Sequence, residues 1–138
     1  MAMVPAFDDR AEVPASVLAL KERMKNADGL LFVTPEYAFG VPGALKNLLD
    51  WTVSTGDLYE KPAAVITAAT NGIYAHESLL LTLKALTAKI DDDCKLLIRF
   101  VRSKMDKEGH VTDIQTVEAI GRLVEKFCMV LAGGDNWQ

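Results

Sequence analysis

The chain has 138 residues, 50% of them apolar, which is enough for one buried core and too few for two independent domains, so residues 1–138 read as a single domain. A net charge of -4 offers no basic face, which excludes nucleic acid and anionic membranes as partners and leaves small molecules or other proteins. No basic segment precedes an apolar one at the N-terminus, and no run approaches the roughly 20 apolar residues of a membrane span, so the reading is cytoplasmic.

Asp8 to Glu12 is polar and reads as a loop. Pro14 fits the first turn of a helix running through Ala27, with Val17, Leu20, Met24 and Ala27 on one face. Asp28-Gly29 stops it. Leu30-Leu31-Phe32-Val33 is a short unbroken apolar run, the pattern of a parallel strand covered by helices on both faces, and it ends at Thr34-Pro35. Glu36 to Val41 has no period. Pro42-Gly43 then opens a helix with Leu45, Leu48 and Leu49 on one side.

Gly56-Asp57 and Lys61-Pro62 break the chain before Ala63 to Ala69, a second buried strand whose exit turn is Thr70-Asn71-Gly72. Leu79, Leu80, Leu83, Leu86 and Ile90 keep helical spacing and predict a helix over 75–89. Asp91-Asp92-Asp93 ends it. Lys95 to Val101 is a third strand, polar enough for a sheet edge. After the turn Asp106 to Gly109, Thr112 and Gln115 fit a capping box, and Ile114, Val117, Ile120, Gly121, Val124 and Phe127 predict the buried face of a last helix. Gly133 to Asn136 reads as a frayed tail. The alternation of helix and strand selects right-handed crossovers and an α/β fold: a parallel sheet with helices on both faces.

Cys94 and Cys128 lie far apart beside apolar residues and read as reduced, partly buried thiols. His76 and His110 have no neighbour at ligand spacing, so no metal site is expected, and no nucleophile–base pair suggests a catalytic side chain. In open parallel sheets ligands bind beyond the C-terminal ends of the strands, which points to Thr34-Pro35-Glu36-Tyr37 and to Thr70 through Tyr74. Both loops combine polar, aromatic and glycine residues. A flavin ring needs that mixture, because its pyrimidine edge takes hydrogen bonds while its flat face takes an apolar or aromatic wall such as Tyr37.

The stretch Thr34-Pro35-Glu36-Tyr37-Ala38-Phe39-Gly40-Val41-Pro42-Gly43-Ala44-Leu45-Lys46-Asn47-Leu48-Leu49-Asp50-Trp51 resembles the TPEYN-x-x-x-PG-x-LKN-x-x-DW signature of the NADPH-dependent FMN reductases, which include quinone, chromate and azo-dye reductases. By the same resemblance, Thr70 to Tyr74 matches the loop that approaches the flavin, and Asp106 to Gly109 a late acidic turn. The likeness implies a flavodoxin-like fold and FMN as cofactor, with Thr34, Pro35, Glu36, Tyr37, Ala38, Thr70, Asn71 and Gly72 as its contacts. It also implies NAD(P)H as co-substrate, hydride transfer through flavin N5 and a small-molecule electron acceptor. Lys46, Asn47, Asp50 and Trp51 fit packing or subunit contact.

Two departures stand out. Ala38 replaces the family's Asn, and no residue here corresponds to the family's first strand, Gly-Ser-x-Arg phosphate loop, first helix and second strand. The alternative reading is therefore a truncated, non-catalytic homologue with weak or no FMN binding, serving as an oligomerisation or interaction module. Without those strands, Leu30 to Val33 becomes an uncharged open edge, which predicts a homodimer or homotetramer.

Overall fold

A computed structural model describes residues 4–10 and 12–133. In chain order the elements are α1 (Ala15–Asn26), β1 (Leu30–Thr34), α2 (Gly43–Asp50), β2 (Ala63–Ala68), α3 (Ile73–Ala85), β3 (Lys95–Ile98) and α4 (Ile114–Leu131). The strands form one parallel sheet in the order β1-β2-β3. Strand β2, whose first residues carry the smallest apolar side chains, takes the centre, buried from Ala63 to Thr67. Leu30 pairs with Ala63 and Thr34 with Thr67, while Val65 pairs with Lys95 and Ala68 with Ile98. This register brings the three strand exits side by side at one end of the sheet.

Helices lie on both faces. On one, Phe32, Ala63 and Val65 meet Met24 of α1, Leu49 of α2, Leu79 and Leu83 of α3, and Leu58 from the segment after α2. On the other, Ala64, Ile66, Cys94 and Ile98 meet Leu123 and Phe127 of α4. Leu31 and Val33 share that second face, since they pair with Ala64 and Ile66, yet they are 47% and 63% exposed because α4 lies over β2 and β3. The expected cover on both faces therefore holds for β2 and fails for β1. Strand β3 occupies the other edge, as its polarity suggests.

Three other expectations shift. Strand β3 stops at Ile98 instead of Val101, because Phe100 adopts φ 53 and the chain enters a single 3-10 turn over Val101–Lys104. The capping box at Thr112 and Gln115 does not form. Asp113 caps α4 instead, accepting the Thr116 N–H at 3.0 Å, and the Thr116 hydroxyl, together with that N–H, holds its carboxyl below the usual range. Finally, of the predicted stripe of α4, Phe127 is buried and Ile120 packs on the core, but Ile114, Val117 and Val124 are exposed, and Thr116, Leu123 and Val130 complete the buried face. The apolar surface of the helix is broader than one stripe, and packing set which part of it is buried. Beyond Gly133 the expected tail lies outside the described residues.

The signature helix anchors the start of the chain. Asn47 accepts the Phe7 N–H at 2.8 Å and donates to the Pro5 carbonyl at 2.9 Å, and the Trp51 indole donates to the same carbonyl. Phe7 and Trp51 stack edge to face. Lys46 and Asp50 form an exposed ion pair one turn apart.

Lys21, inside the apolar face of α1, is 8% exposed; its ammonium donates to the Trp51 carbonyl at 2.7 Å and lies 3.2 Å from the Asp57 carboxylate. Removing one partner of such a pair strands the other charge away from water. Lys21→Met is expected to destabilise the protein by about 3 kcal/mol, read as a lower urea midpoint at unchanged slope.

Candidate functional site

Three strand exits build the site. Thr34, 4% exposed, ends β1 and donates its hydroxyl to the Pro35 carbonyl at 3.0 Å. Pro35 has no N–H, so the ladder cannot continue through it. Glu36 then reaches across to the exit of β2: one carboxylate oxygen accepts the Gly72 N–H and the other the Ala75 N–H, both at 3.0 Å. These N–H groups open α3, where an anion satisfies otherwise unpaired donors and complements the helix dipole.

Gly72 is needed for this bond. Its φ is 83, and a Cβ there would sit 2.7 Å from the Leu97 Cδ1 atom.

Tyr37 to Gly40 forms a two-residue hairpin turn, with Tyr37 and Gly40 exchanging backbone bonds of 3.0 and 2.9 Å and with Ala38 at φ 48 and Phe39 at φ 60. Both central residues are left-handed, as a type I′ turn requires. The turn lifts Tyr37 and Phe39 into solvent, 66% and 71% exposed, and Phe39 stacks edge to face on Tyr74 with centroids 5.4 Å apart. Among the described residues, the N–H groups of Ala38, Phe39, Thr70 and Asn71 have no hydrogen-bond acceptor. The rim thus offers free donors beside exposed rings.

The exit of β3 closes the third side. Phe100 donates its N–H to the Thr70 carbonyl at 3.1 Å, and Arg99 donates to the Asn71 Oδ1 atom at 3.0 Å. Below the rim, the His76 Nδ1 atom lies 2.8 Å from the hydroxyl of buried Thr67, and burial lowers the His76 pKa, favouring neutral imidazole.

Thr34, Pro35, Glu36, Tyr37 and Ala38 lie on one loop, Thr70, Asn71 and Gly72 on its neighbour, and Glu36 joins the two. Phe39, Arg99 and Phe100 were not singled out from the sequence, and Tyr74 entered only as the end of the loop from Thr70. Arg99 and Phe100 read as interior to a strand, and only the early end of β3 reveals them as loop residues.

Outside the site, two sequence expectations fail. Cys94 is buried, which pushes its thiol pKa up, but Cys128 is exposed rather than partly buried, because it rides the uncovered side of α4. His110 does meet a carboxylate, with its Nδ1 3.0 Å from an Asp106 oxygen, and Glu108 lies close enough that one ligand atom from each falls within 4.8 Å of the others. All three are exposed, and Asp106 is already engaged by the N–H groups of Glu108 and His110, so the cluster is a hydrogen-bonded turn.

A family model described as NADPH-dependent FMN reductase matches residues 2–100. The chain belongs to the NADPH-dependent FMN reductase family. It is 30% identical to the NADH-dependent flavin reductase subunit 2 of Lactobacillus johnsonii, over 92% of this chain and 75% of that one. It is 32% identical to a quinone reductase of Escherichia coli, over 86% of this chain and 68% of that one. Among solved structures, FerB, a flavoenzyme NAD(P)H:(acceptor) oxidoreductase from Paracoccus denitrificans, superposes with a TM-score of 0.80 at 28% identity, covering 94% of this chain and 76% of FerB. The fold is flavodoxin-like. The chain spans about two thirds to three quarters of the length of the curated relatives it matches. Membership places it among oxidoreductases that use FMN and NAD(P)H.

For this FMN reductase-family chain, the Ala38 departure now has a physical meaning. Asn tolerates the left-handed region because its short amide can bond locally, whereas the Ala Cβ crowds the carbonyl. Ala38→Asn is expected to stabilise the protein by about 0.5–1 kcal/mol, seen as a raised urea midpoint; an unchanged or lowered midpoint would show that the turn carries no strain at Ala38.

Proposed function

We propose that the chain works as an FMN-dependent NAD(P)H oxidoreductase of the flavin and quinone reductase type, the flavin ring resting on Thr34, Pro35, Glu36, Tyr37 and Ala38 and on Thr70, Asn71 and Gly72. One observation carries this reading: the Glu36 carboxylate locks the β1 and β2 exits together, leaving unpaired N–H groups beside exposed aromatic side chains. Those donors suit the acceptor atoms of the ring's pyrimidine edge, and the exposed Tyr37 suits its flat face.

When bound, FMN supplies the hydride acceptor at N5 and the electron carrier to a small-molecule acceptor. The protein's part is to bind and orient. Glu36, with both oxygens occupied by backbone donors, braces the loops. Gly72 permits the bend that presents its N–H to Glu36, and Tyr37 walls the ring from water. No side-chain acid or base is required, in keeping with the absence of a nucleophile–base pair in the sequence. The non-catalytic alternative has no comparison in its favour.

The proposed setting is a single domain over residues 1–138 in the cytoplasm. Among the described residues no helix is long and apolar enough to cross a membrane.

Titration of the purified protein with FMN, followed by visible absorbance and flavin fluorescence, tests the site. Binding is expected, and Tyr37→Ala is expected to weaken it by roughly 1–3 kcal/mol, the scale of lost aromatic stacking. No binding at high micromolar FMN would sink the reading, and an unchanged dissociation constant in the variant would remove Tyr37 from the site.

The proposal includes a homo-oligomer, most simply a two-fold dimer. Its support is that, among the described residues, β1 has a neighbour on one side only, while Leu31 and Val33 stand exposed on its uncovered face. Sedimentation equilibrium at low micromolar concentration is expected to give a mass above the 15.1 kDa of one chain, and Val33→Lys to lower it. A folded wild type that sediments as a strict monomer overturns the dimer.

A further inference from the structure

Arg99 follows β3 directly and reaches sideways to the exit loop of β2. Its Nη2 atom lies 3.0 Å from the Asn71 Oδ1 atom, and its guanidinium carbon stands 5.2 Å from the centroid of the Phe100 ring. Among the described residues no carboxylate lies within ion-pair distance of it. A guanidinium only donates hydrogen bonds, so the Asn71 amide must turn its oxygen toward Arg99, which leaves the Asn71 –NH2 group facing away as a donor.

The backbone that holds Arg99 there is itself constrained. Phe100 sits at φ 53, a left-handed conformation that a bulky residue adopts only at a cost. The bend is held by three bonds: Phe100 N–H to the Thr70 carbonyl, Val101 N–H to the Ala69 carbonyl, and Ser103 N–H to the Phe100 carbonyl, at 3.1, 3.2 and 3.0 Å. Two of the three tie it to the β2 exit. An arginine held against a ring and an amide, with no carboxylate to neutralise it, is a positive charge set in advance of any ligand.

We propose that Arg99 is a positioning residue of the flavin site, fixing Asn71 as an outward-facing donor and placing a positive charge where it favours the reduced, negatively charged ring. This rests on the flavin reading above. Hydride arrival gives the ring two electrons and one proton, hence one added negative charge, while NAD(P)H leaves as NAD(P)+. Arg99 stays protonated throughout and transfers nothing. Its effect is electrostatic, through the charge difference between the two states of the ring.

The test uses FMN-loaded wild type, Arg99→Gln, Arg99→Lys and Asn71→Ala, with the dissociation constant of oxidised FMN and the two-electron midpoint potential as readouts. Arg99→Gln is expected to lower the preference for the reduced over the oxidised ring by about tenfold, a fall of about 30 mV for a two-electron couple. Arg99→Lys, which keeps the charge and loses the planar fork, is expected to recover most of that potential. For oxidised FMN, Arg99→Gln and Asn71→Ala are expected to weaken binding alike, with no further loss when combined, since both act through one contact. A wild-type potential in Arg99→Gln, or no recovery by Arg99→Lys, overturns the role of the charge; additive losses overturn the link to Asn71. A wild type that binds no FMN overturns the flavin reading and this inference with it, whereas a flavin-binding wild type with unaltered variants overturns this inference alone.

Discussion

The Glu36 carboxylate ties the exit of β1 to the first turn of α3, and the arrangement of the strand-exit rim follows from that contact. Each oxygen accepts one backbone N–H, from Gly72 and from Ala75. Bonds of this kind join an anion to the positive end of a helix and satisfy donors that the helix cannot pair internally. The contact exists only because the strands run parallel in register, so that Thr34, the end of β1, pairs with Thr67 one residue before the end of β2. The β3 exit joins the same rim through bonds from Phe100 to Thr70 and from Arg99 to Asn71.

Around that clamp the chain adopts conformations that cost free energy. Ala38, Phe39 and Phe100 all have positive φ, and none is a glycine or asparagine. Together they cost a few kcal/mol, a substantial fraction of what a small domain has in reserve. These three lie at the exit end of the sheet, where the aromatic rings project into solvent instead of joining the core, while Glu60 and Thr87, also at positive φ, lie toward the strand starts. Core packing gains nothing from those rings, and their exposure has a direct explanation if a flat ligand covers them.

The opposite economy governs the β1 edge. Leu31 and Val33 are apolar, exposed and on the same face as α4, whose Ile114, Val117 and Val124 are also bare. For an isolated chain this is a large unburied surface. A second copy covering the β1 edge and part of this face, as proposed, would remove both the unpaired strand groups and the apolar exposure.

Much of this was legible in the sequence. Leu30 to Val33 and Ala63 to Ala69 had to be strands, since each is a short apolar run closed by Pro, Gly or Asn, and the spacing of Leu79 and Leu83 fixed a helix that buries both. The signature from Thr34 to Trp51 identified the family before any coordinate, because eleven of its twelve specified positions, all in register, are not met by chance. The two ligand loops also followed, from the rule that parallel sheets bind beyond their strand ends. Only tertiary structure could decide what depends on contacts between distant residues. Which part of the apolar surface of α4 is buried turned on where the sheet lies beneath it, and the helical period alone does not choose. Lys21 is buried because Asp57 and the Trp51 carbonyl await it from another segment, and a linear reading of α1 has no way to see them. Arg99 looked like the interior of a strand until the bend at Phe100 released it beside Asn71, 28 residues earlier in the chain. Local pattern fixes which residues can form an element; the meeting of strand exits in space fixes which of them can act together.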